Sequence, residues 1–295
     1  MIEIPDLSGA PNLKQLILQH CTRLYKIHAS LGDLKRLIRL DLNGCKNRSS
    51  LPNSCYSSIS LRTLNLSCCS KLDELSENLG KIESLEELDL SGTAITSLPS
   101  SVVHLKNLKG LSLCRCVGLS SNKLMRFPLM QPRRSPDLMG MLERSLIGLC
   151  SLTKLDLSYC NVQTIPNVLG CLSSLESLYL RGNNFVCLPE SIIQLSNLRN
   201  LILNGCTHLR TLPKLPLKIQ CIYAPQCTSL ETLSLRPEND FRLIFNLLNC
   251  DKLIKNQGYG DLVSTMLRRY IINHHVSLSL SLSLSLSLSL SLSLM

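Results

Sequence analysis

Hydrophobic residues recur along this chain in one phrase, L-x-x-L-x-L-x-x-C/N/T-x-x-L, in which leucines alternate with mostly polar positions. Nine copies follow one another at steps of 21 to 24 residues, apart from one step of 44. The alternation L-x-L predicts a short strand with leucine on one face and the x residues on the other. One copy cannot bury its own leucines, so we expect neighbouring copies to stack. The copies start at Leu13, Leu37, Leu61, Leu85, Leu108, Leu152, Leu175, Leu198 and Ile219.

The second half of many copies has a different pattern, L-P-x-x-[IVL]-x-x-L, as in 98–105 and 188–195. Proline disfavours a strand and suits the first turn of a helix. A period of 20–29 residues with this wording is typical of leucine-rich repeats. We therefore predict an α/β leucine-rich-repeat solenoid (horseshoe), with a parallel concave sheet and short helical or irregular convex segments.

The copies predict three regions along the chain. Leucine-rich repeats are expected over 1–235, about nine in number, and an insertion loop at 120–141 accounts for the step of 44. Prolines and charges keep the insertion out of the sheet, and a tolerated surface insertion is favoured over a contact loop. The period is expected to stop after Leu233, which leaves a post-repeat segment over 236–275. Neither end shows the polar cap of a complete solenoid, so we expect a fragment of a longer protein.

The last region, 276–295, is a low-complexity tail of Ser-Leu pairs. Strict alternation would place every leucine on one face of an extended strand, which favours aggregation. Half of its residues are serine, so a membrane anchor is disfavoured. We interpret the tail as the translation of a two-letter nucleotide repeat.

Seven of the fifteen cysteines share one repeat position, just after the predicted strand, where Thr93 and Asn183 stand in the other two copies. A buried thiol packs as a small hydrophobe and donates a weak hydrogen bond. We predict a ladder of reduced structural cysteines, which favours the cytoplasm or nucleus over the disulfides of a secreted protein. No signal-peptide pattern is visible. The ladder cysteines are Cys21, Cys45, Cys69, Cys116, Cys160, Cys206 and Cys227.

Composition and motifs argue against catalysis. The net charge of +10 would suit nucleic acid, but acids are interspersed and only 4% of residues are aromatic, so we predict no nucleic-acid partner and no membrane partner. The sequence contains no phosphate loop, no H-E-x-x-H and no C-x-x-C motif, the patterns that would indicate nucleotide, zinc or redox sites. We predict no catalytic, cofactor-binding or metal-binding residue, and a protein that is not an enzyme.

Exposed strand positions of repeats three to seven carry a mosaic of opposite charges with one aromatic residue. The simplest interpretation is a solvated face that keeps the solenoid soluble. The alternative is a surface for a protein partner, since concave faces of solenoids bind partners and interfaces favour Tyr and Arg. The candidate partner-binding residues are Arg62, Glu87, Asp89, Arg115, Lys154, Tyr179 and Arg181.

The phrases "LDLSYCNVQTIPNVLGCLSSLESLYLRGNNFVCLPESI" and "NLILNGCTHLRTLPKLP" resemble the leucine-rich repeats of plant disease-resistance proteins of the TIR-NBS-LRR class, the family of tobacco mosaic virus resistance protein N. The resemblance covers about residues 2–255. The ending "KIQCIYAPQCTSLETLS" and "FNLLNCDKL" resembles that family's last repeat, which would make 236–275 the truncated start of a jelly-roll domain.

The resemblance implies a protein-recognition module of an intracellular immune receptor. Its partner would be a pathogen effector or the receptor's own upstream domains, which the repeats help to hold inactive. The Toll-type and nucleotide-binding domains of the family are not in this sequence, so their activities do not transfer. The alternative function is a general intracellular scaffold or adaptor for protein–protein interaction.

Overall fold

The computed structural model describes residues 2–47, 51–57, 59–116, 143–233 and 244–257. The predicted insertion loop at 120–141 and the Ser-Leu tail at 276–295 lie outside these ranges. Each repeat contributes one short strand to a common sheet, as the L-x-L alternation predicts. The strands in the described ranges are β1 (Glu3–Ile4), β2 (Gln15–Ile17), β3 (Lys26–Ile27), β4 (Arg39–Asp41), β5 (Thr63–Asn65), β6 (Glu87–Asp89), β7 (Gly110–Ser112), β8 (Lys154–Asp156), β9 (Ser177–Tyr179), β10 (Asn200–Ile202), β11 (Thr211–Leu212), β12 (Cys221–Tyr223), β13 (Thr232–Leu233) and β14 (Ile244–Asn246).

The main sheet contains ten parallel strands in the order β14-β12-β10-β9-β8-β7-β6-β5-β4-β2. Its register pairs the middle residue of each strand with the middle residue of the next, as in Leu64↔Leu88 and Leu88↔Leu111. These leucines are fully buried, so the phrase that recurs in sequence becomes one continuous hydrophobic core. Two further pairs, β1-β3 and β11-β13, are also parallel.

Short 3-10 helices follow the strands on the opposite side of the core. Prolines 99, 166 and 189 hold the position just before three of them, with φ between −63° and −75°, which confirms the predicted helical turns after L-P. Helices side by side need more width than strands about 4.8 Å apart, so the sheet lies on the inside of the curve. In the described part of the chain, the 3-10 helices are Ala29–Asp33, Asn53–Ser57, Glu77–Lys81, Ser100–His104, Asn167–Cys171 and Glu190–Gln194, and an α-helix spans Asp251–Gln257.

The repeats continue beyond their expected end. Strand β14 pairs with β12 through Cys221↔Ile244, and Leu253 packs in the core. The expectation that the period stops after Leu233 is therefore corrected, and the described part of 236–275 forms a tenth repeat rather than a separate segment. The sequence signal was weak because Phe245 stands where the other copies carry leucine or isoleucine.

The cysteine position forms a ladder of thiol–carbonyl hydrogen bonds between repeats. The fifteen cysteines, all of which lie in the described ranges, form no disulfide bond. Cys250 extends the ladder. The half-buried Cys21 follows the edge strand β2, so no described strand of the main sheet lies beyond it to accept its hydrogen bond. The donated bonds run from Cys45 to Leu18 (3.2 Å), Cys69 to Leu42 (3.3 Å), Cys116 to Leu90 (3.0 Å), Cys160 to Leu113 (3.0 Å), Cys206 to Leu180 (3.1 Å), Cys227 to Leu203 (3.2 Å) and Cys250 to Ala224 (3.2 Å).

Asn183 takes the ladder position in the seventh repeat and does more than a thiol can. Its amide donates to the carbonyls of Leu157 (2.9 Å) and Leu180 (2.8 Å). Its oxygen accepts from the backbone N–H groups of Cys160 (3.2 Å) and Val162 (3.0 Å).

No helix in the described part of the chain is long and apolar enough to cross a membrane.

Candidate functional site

The third residue of each main-sheet strand lies on the concave face and often shapes the turn that follows. A side-chain oxygen of Asp or Asn accepts the backbone N–H two residues later, which is the Asx-turn geometry. These carboxylates and amides therefore have a structural role beside any binding role. The bonds are Asp41 to Asn43 (3.1 Å), Asn65 to Ser67 (2.9 Å), Asp89 to Ser91 (2.9 Å), Asp156 to Ser158 (2.8 Å) and Asn246 to Leu248 (3.2 Å).

Asp41 is the one fully buried carboxylate of this column. It accepts hydrogen bonds from Arg39 Nη2 (2.8 Å) and Gln19 Nε2 (3.0 Å) in addition to the Asn43 N–H. Burial opposes its ionisation, but the hydrogen bonds from Arg39, Gln19 and Asn43 outweigh burial and hold the pKa of Asp41 below its usual value. The ion pair of Arg39 and Asp41 therefore leaves the concave face without net charge at β4.

Glu86, one residue before β6, gathers two cations. It bonds Lys109 Nζ at 2.7 Å and Arg62 Nη1 at 3.0 Å. The hydrogen bond from Lys109 is the main reason that the pKa of Glu86 lies below its usual value. Arg62, a predicted binding residue, therefore sits beside the sheet with its charge already satisfied.

A notch of about 260 Å³ opens on the concave face over β4 to β8. Its floor is Gly110, where a Cβ atom would collide with the carboxylate of Glu87. The absence of a side chain at 110 therefore lets Glu87 lie flat across the sheet. Asp89 and Lys154, both predicted binding residues, also line this notch.

Near the β8 end of the notch, two tyrosine rings each lie close to one or two positively charged side chains. The Arg115 guanidinium lies 5.1 Å from the centroid of the Tyr159 ring. Lys154 Nζ and the Arg181 guanidinium each lie 5.5 Å from the centroid of the Tyr179 ring, within cation–π range. We call these five residues the cation–π platform.

The loops after β8 and β9 hold the platform in place. Tyr159 is in the left-handed conformation (φ 58°), as is Gly182 at the same place in the next repeat (φ 59°). A Cβ atom at 182 would overlap the Tyr159 ring, so the ring lies directly over this glycine. A side chain at 182 would displace the ring that supports Arg115.

Most of the predicted site residues come together. Glu87 and Asp89 lie on β6, Lys154 on β8 and Tyr179 on β9, with β7 between β6 and β8. Arg181 follows β9 and belongs to the platform. Sequence reasoning missed Tyr159, although it predicted Arg115 and Arg181 in the loops after β7 and β9. The signal that could have found it is its repeat position, which Arg115 occupies in the preceding described repeat.

Cys114 lies at the junction of these charges. Its partial burial raises the pKa of the thiol, and the carboxylates of Asp156 and Asp89 raise it further, whereas Arg115 and Arg181 lower it. The thiol is only half-buried. It is therefore a natural reporter of charge at the platform.

No group of His, Cys, Asp and Glu that could hold a metal ion occurs in the described ranges.

Comparison with known families identifies the repeats. Residues 6–131 match the model described as "Leucine-rich repeat region", and residues 150–192 match "Leucine Rich repeats (2 copies)". Among solved structures, an LRR protein of Leptospira interrogans is similar with a TM-score of 0.55 at 25% identity, covering 82% of this chain and 62% of that one. The leucine-rich repeat domain of the type III effector XopL is similar with a TM-score of 0.53 at 25% identity, covering 69% of this chain and 66% of that one.

Curated relatives are plant proteins. The chain is 36% identical over 244 residues to "Disease resistance-like protein DSC1" of Arabidopsis thaliana, covering 81% of this chain and 19% of that protein. It is 31% identical over 268 residues to "TMV resistance protein N" of Nicotiana glutinosa, covering 72% and 23%. It is 33% identical over 266 residues to "Disease resistance protein RPS4" of Arabidopsis thaliana, covering 86% and 21%. The chain thus spans about a fifth of the length of these relatives.

Proposed function

This chain belongs to the leucine-rich-repeat regions of plant disease-resistance proteins of the TIR-NBS-LRR class, and we propose that it recognises a protein partner through its concave face. The partner would be a pathogen effector, or the upstream domains of the same receptor when the receptor is held inactive. The proposed place of action is the cytoplasm, with the nucleus as a second compartment.

The observation that supports this proposal most is the contrast between the two ends of the charged face. Arg39 is neutralised by Asp41, and Arg62 and Lys109 are neutralised by Glu86. The cations of the platform are held by rings instead, and their charge stays available to a partner. Tyrosine and arginine are the residues that most often dominate interface energy. We do not propose a catalytic function, because leucine-rich-repeat folds typically serve as protein-interaction scaffolds.

A capture experiment from leaf tissue tests this function. Tagged chain carrying Arg181→Glu on the concave face is compared with the wild type and with Lys106→Glu on the opposite side. We expect partners bound by the wild type to be retained by Lys106→Glu and lost by Arg181→Glu. Equal loss from both variants, or loss from Lys106→Glu alone, would place the binding site elsewhere.

Asp89→Asn is the appropriate third variant. Asn65 occupies the same register position on the neighbouring strand and makes the same bond to the backbone. The substitution therefore removes the charge while the turn keeps its acceptor. Weaker capture by this variant would assign a binding role to the charge of Asp89, separate from its structural bond to Ser91.

A further inference from the structure

The cations of the concave face fall into two groups. Arg39 bonds Asp41 at 2.8 Å, and Arg62 and Lys109 bond Glu86. Within the described ranges, the six ion pairs include none at Arg115, Lys154 or Arg181. These three cations are concentrated on β7 to β9 and the loops after them. These three cations without an ion-pair partner therefore lie close together on the sheet.

The rings orient these cations for a ligand. A guanidinium stacked on a ring keeps its in-plane N–H groups free, and those groups can grip a carboxylate with two parallel bonds. Arg181 Nε is shielded from solvent and has no hydrogen-bond partner in the described part of the chain. A carboxylate cannot reach this shielded nitrogen, so it would bind Arg181 through the terminal Nη groups.

The surroundings select the kind of anion. Asp156 lies on β8 together with Lys154, and Glu87 and Asp89 lie on the same sheet on β6. These three carboxylates would repel the continuous charge of a nucleic-acid backbone. Each of the two rings already interacts with at least one cation, which competes with base stacking on that ring. Separate carboxylates, spaced along a peptide, can meet the cations and avoid the acids.

We propose that the platform of Arg115, Lys154, Tyr159, Tyr179 and Arg181 binds an acidic segment of a protein partner through its Asp and Glu side chains. Arg115 follows β7 and Arg181 follows β9, two strand spacings or about 10 Å apart, so carboxylates at a similar separation would engage both. This inference rests on the proposed recognition function and names the chemistry of the partner.

Fluorescence anisotropy with the full chain tests the inference. The probe is a fluorescein-labelled 12-residue peptide of alternating Glu and Gly, and the control peptide carries Gln in place of Glu. We expect the Glu peptide to bind about tenfold more tightly than the Gln peptide, with affinity that falls as salt rises. Equal affinity for the two peptides would overturn the proposal, and so would tighter binding of labelled oligo-uridine RNA than of the Glu peptide.

Variants assign the binding to the platform. Lys154→Gln and Arg181→Gln should each weaken binding of the Glu peptide by about five- to tenfold. The matched control Lys81→Gln changes an exposed lysine of the 3-10 helix Glu77–Lys81 and should bind as the wild type does. Slow modification of the buried Cys160 thiol in every variant verifies that the repeats remain stacked. Folded platform variants that bind the Glu peptide like the wild type would contradict the assignment.

The two proposals fail in different ways. If the Glu peptide does not bind but Arg181→Glu still abolishes capture from leaf tissue, the acidic-segment inference is wrong and concave recognition stands. If the Glu peptide binds through the platform but concave variants capture every partner normally, the proposed recognition function is wrong.

Discussion

The thiol of Cys160 donates a hydrogen bond to the backbone carbonyl of Leu113 at 3.0 Å. The two residues are separated by 47 positions in sequence, because the predicted insertion lies between them, yet they occupy adjacent repeats of one sheet. The stack is therefore continuous across the longest step in the sequence. The bond also shows how a thiol replaces a polar ladder residue, since Asn183 makes the corresponding bond to Leu157 in the next repeat.

Removing the side chain of Cys160 or of Asn183 should destabilise the stack of repeats, by different amounts. Cys160→Ala leaves one buried carbonyl without its donor and should lower the free energy of unfolding by about 1–2 kcal/mol. Asn183→Ala breaks four hydrogen bonds and should cost about 3 kcal/mol or more. Denaturant unfolding measures both values. The exposed Cys171→Ala serves as the control and should change stability by less than about 0.5 kcal/mol.

The ladder thiols should react slowly and make the protein sensitive to alkali. Burial raises the pKa of Cys116 to about 11 and that of Cys160 to about 12. The thiol of an unfolded cysteine has a pKa of about 8.5. As pH rises, the unfolded chain therefore loses its thiol protons before the folded chain does. The contribution of these buried thiols to the free energy of unfolding is complete below about pH 8.5 and is lost as pH rises toward their pKa values in the folded state.

Denaturation midpoints at pH 7.5 and pH 10 measure this loss. Site-resolved mass spectrometry after alkylation should find Cys68, Cys150, Cys171 and Cys187, which are exposed, modified before Cys116 or Cys160. Early modification of Cys160 would be incompatible with stacked repeats.

Asp41 should make the protein sensitive to acid. Its pKa is lowered in the folded state, so its contribution is present above the usual carboxyl range of about 3.9 and is lost as pH falls through the lowered pKa. Asp41→Asn should reduce stability at pH 7 by about 1–2 kcal/mol and flatten the decline below pH 4. Asp89→Asn, which keeps its acceptor for Ser91, is the matched control and should leave unfolding at pH 7 nearly unchanged.

Two glycines of the concave surface should respond differently to alanine. Gly182 has φ 59° and lies under the Tyr159 ring, so Gly182→Ala should cost about 1–2 kcal/mol and displace the ring from Arg115. At Gly110 the Cβ would meet only the end of the flexible Glu87 side chain. Gly110→Ala should therefore fold with little loss and fill the floor of the notch. Thermal unfolding of the two variants side by side would refute this contrast if Gly110→Ala proved the more destabilised.

Cys114 should report charge at the platform. Arg115 lowers the pKa of this thiol and Asp156 raises it, so Arg115→Gln should slow its alkylation at pH 8, whereas Asp156→Asn should accelerate it. The exposed Cys187 in the same samples is the internal control and should keep its rate. Parallel changes at both thiols would indicate general loosening rather than a local electrostatic effect.

Sequence periodicity alone determined the solenoid, nine strands of the main sheet and seven ladder cysteines. The strand pairs β1-β3 and β11-β13, strand β14 and the ladder role of Cys250 came from the structure. A strand alternates strictly between two faces, so the spacing of Leu85, Leu88 and Leu90 specifies which residues are buried and places Glu87 and Asp89 on the open face. The period failed only at β14, where Phe245 replaces the recurring aliphatic residue and the repeat lost its sequence signal. The candidate site could be assigned to the concave face for the same geometric reason.

Only the tertiary structure decided which charges neutralise one another. Several partners lie within reach of each side chain when strands are about 4.8 Å apart, and the repeat pattern does not choose among them. Glu86 takes Arg62 and Lys109, Asp41 takes Arg39, and Lys154 turns toward Tyr179. Loop conformation then adds Tyr159 over Gly182, a contact that depends on two left-handed residues in adjacent repeats. The periodic sequence sets the register, but rotamers and neighbouring side chains set the chemistry of the surface.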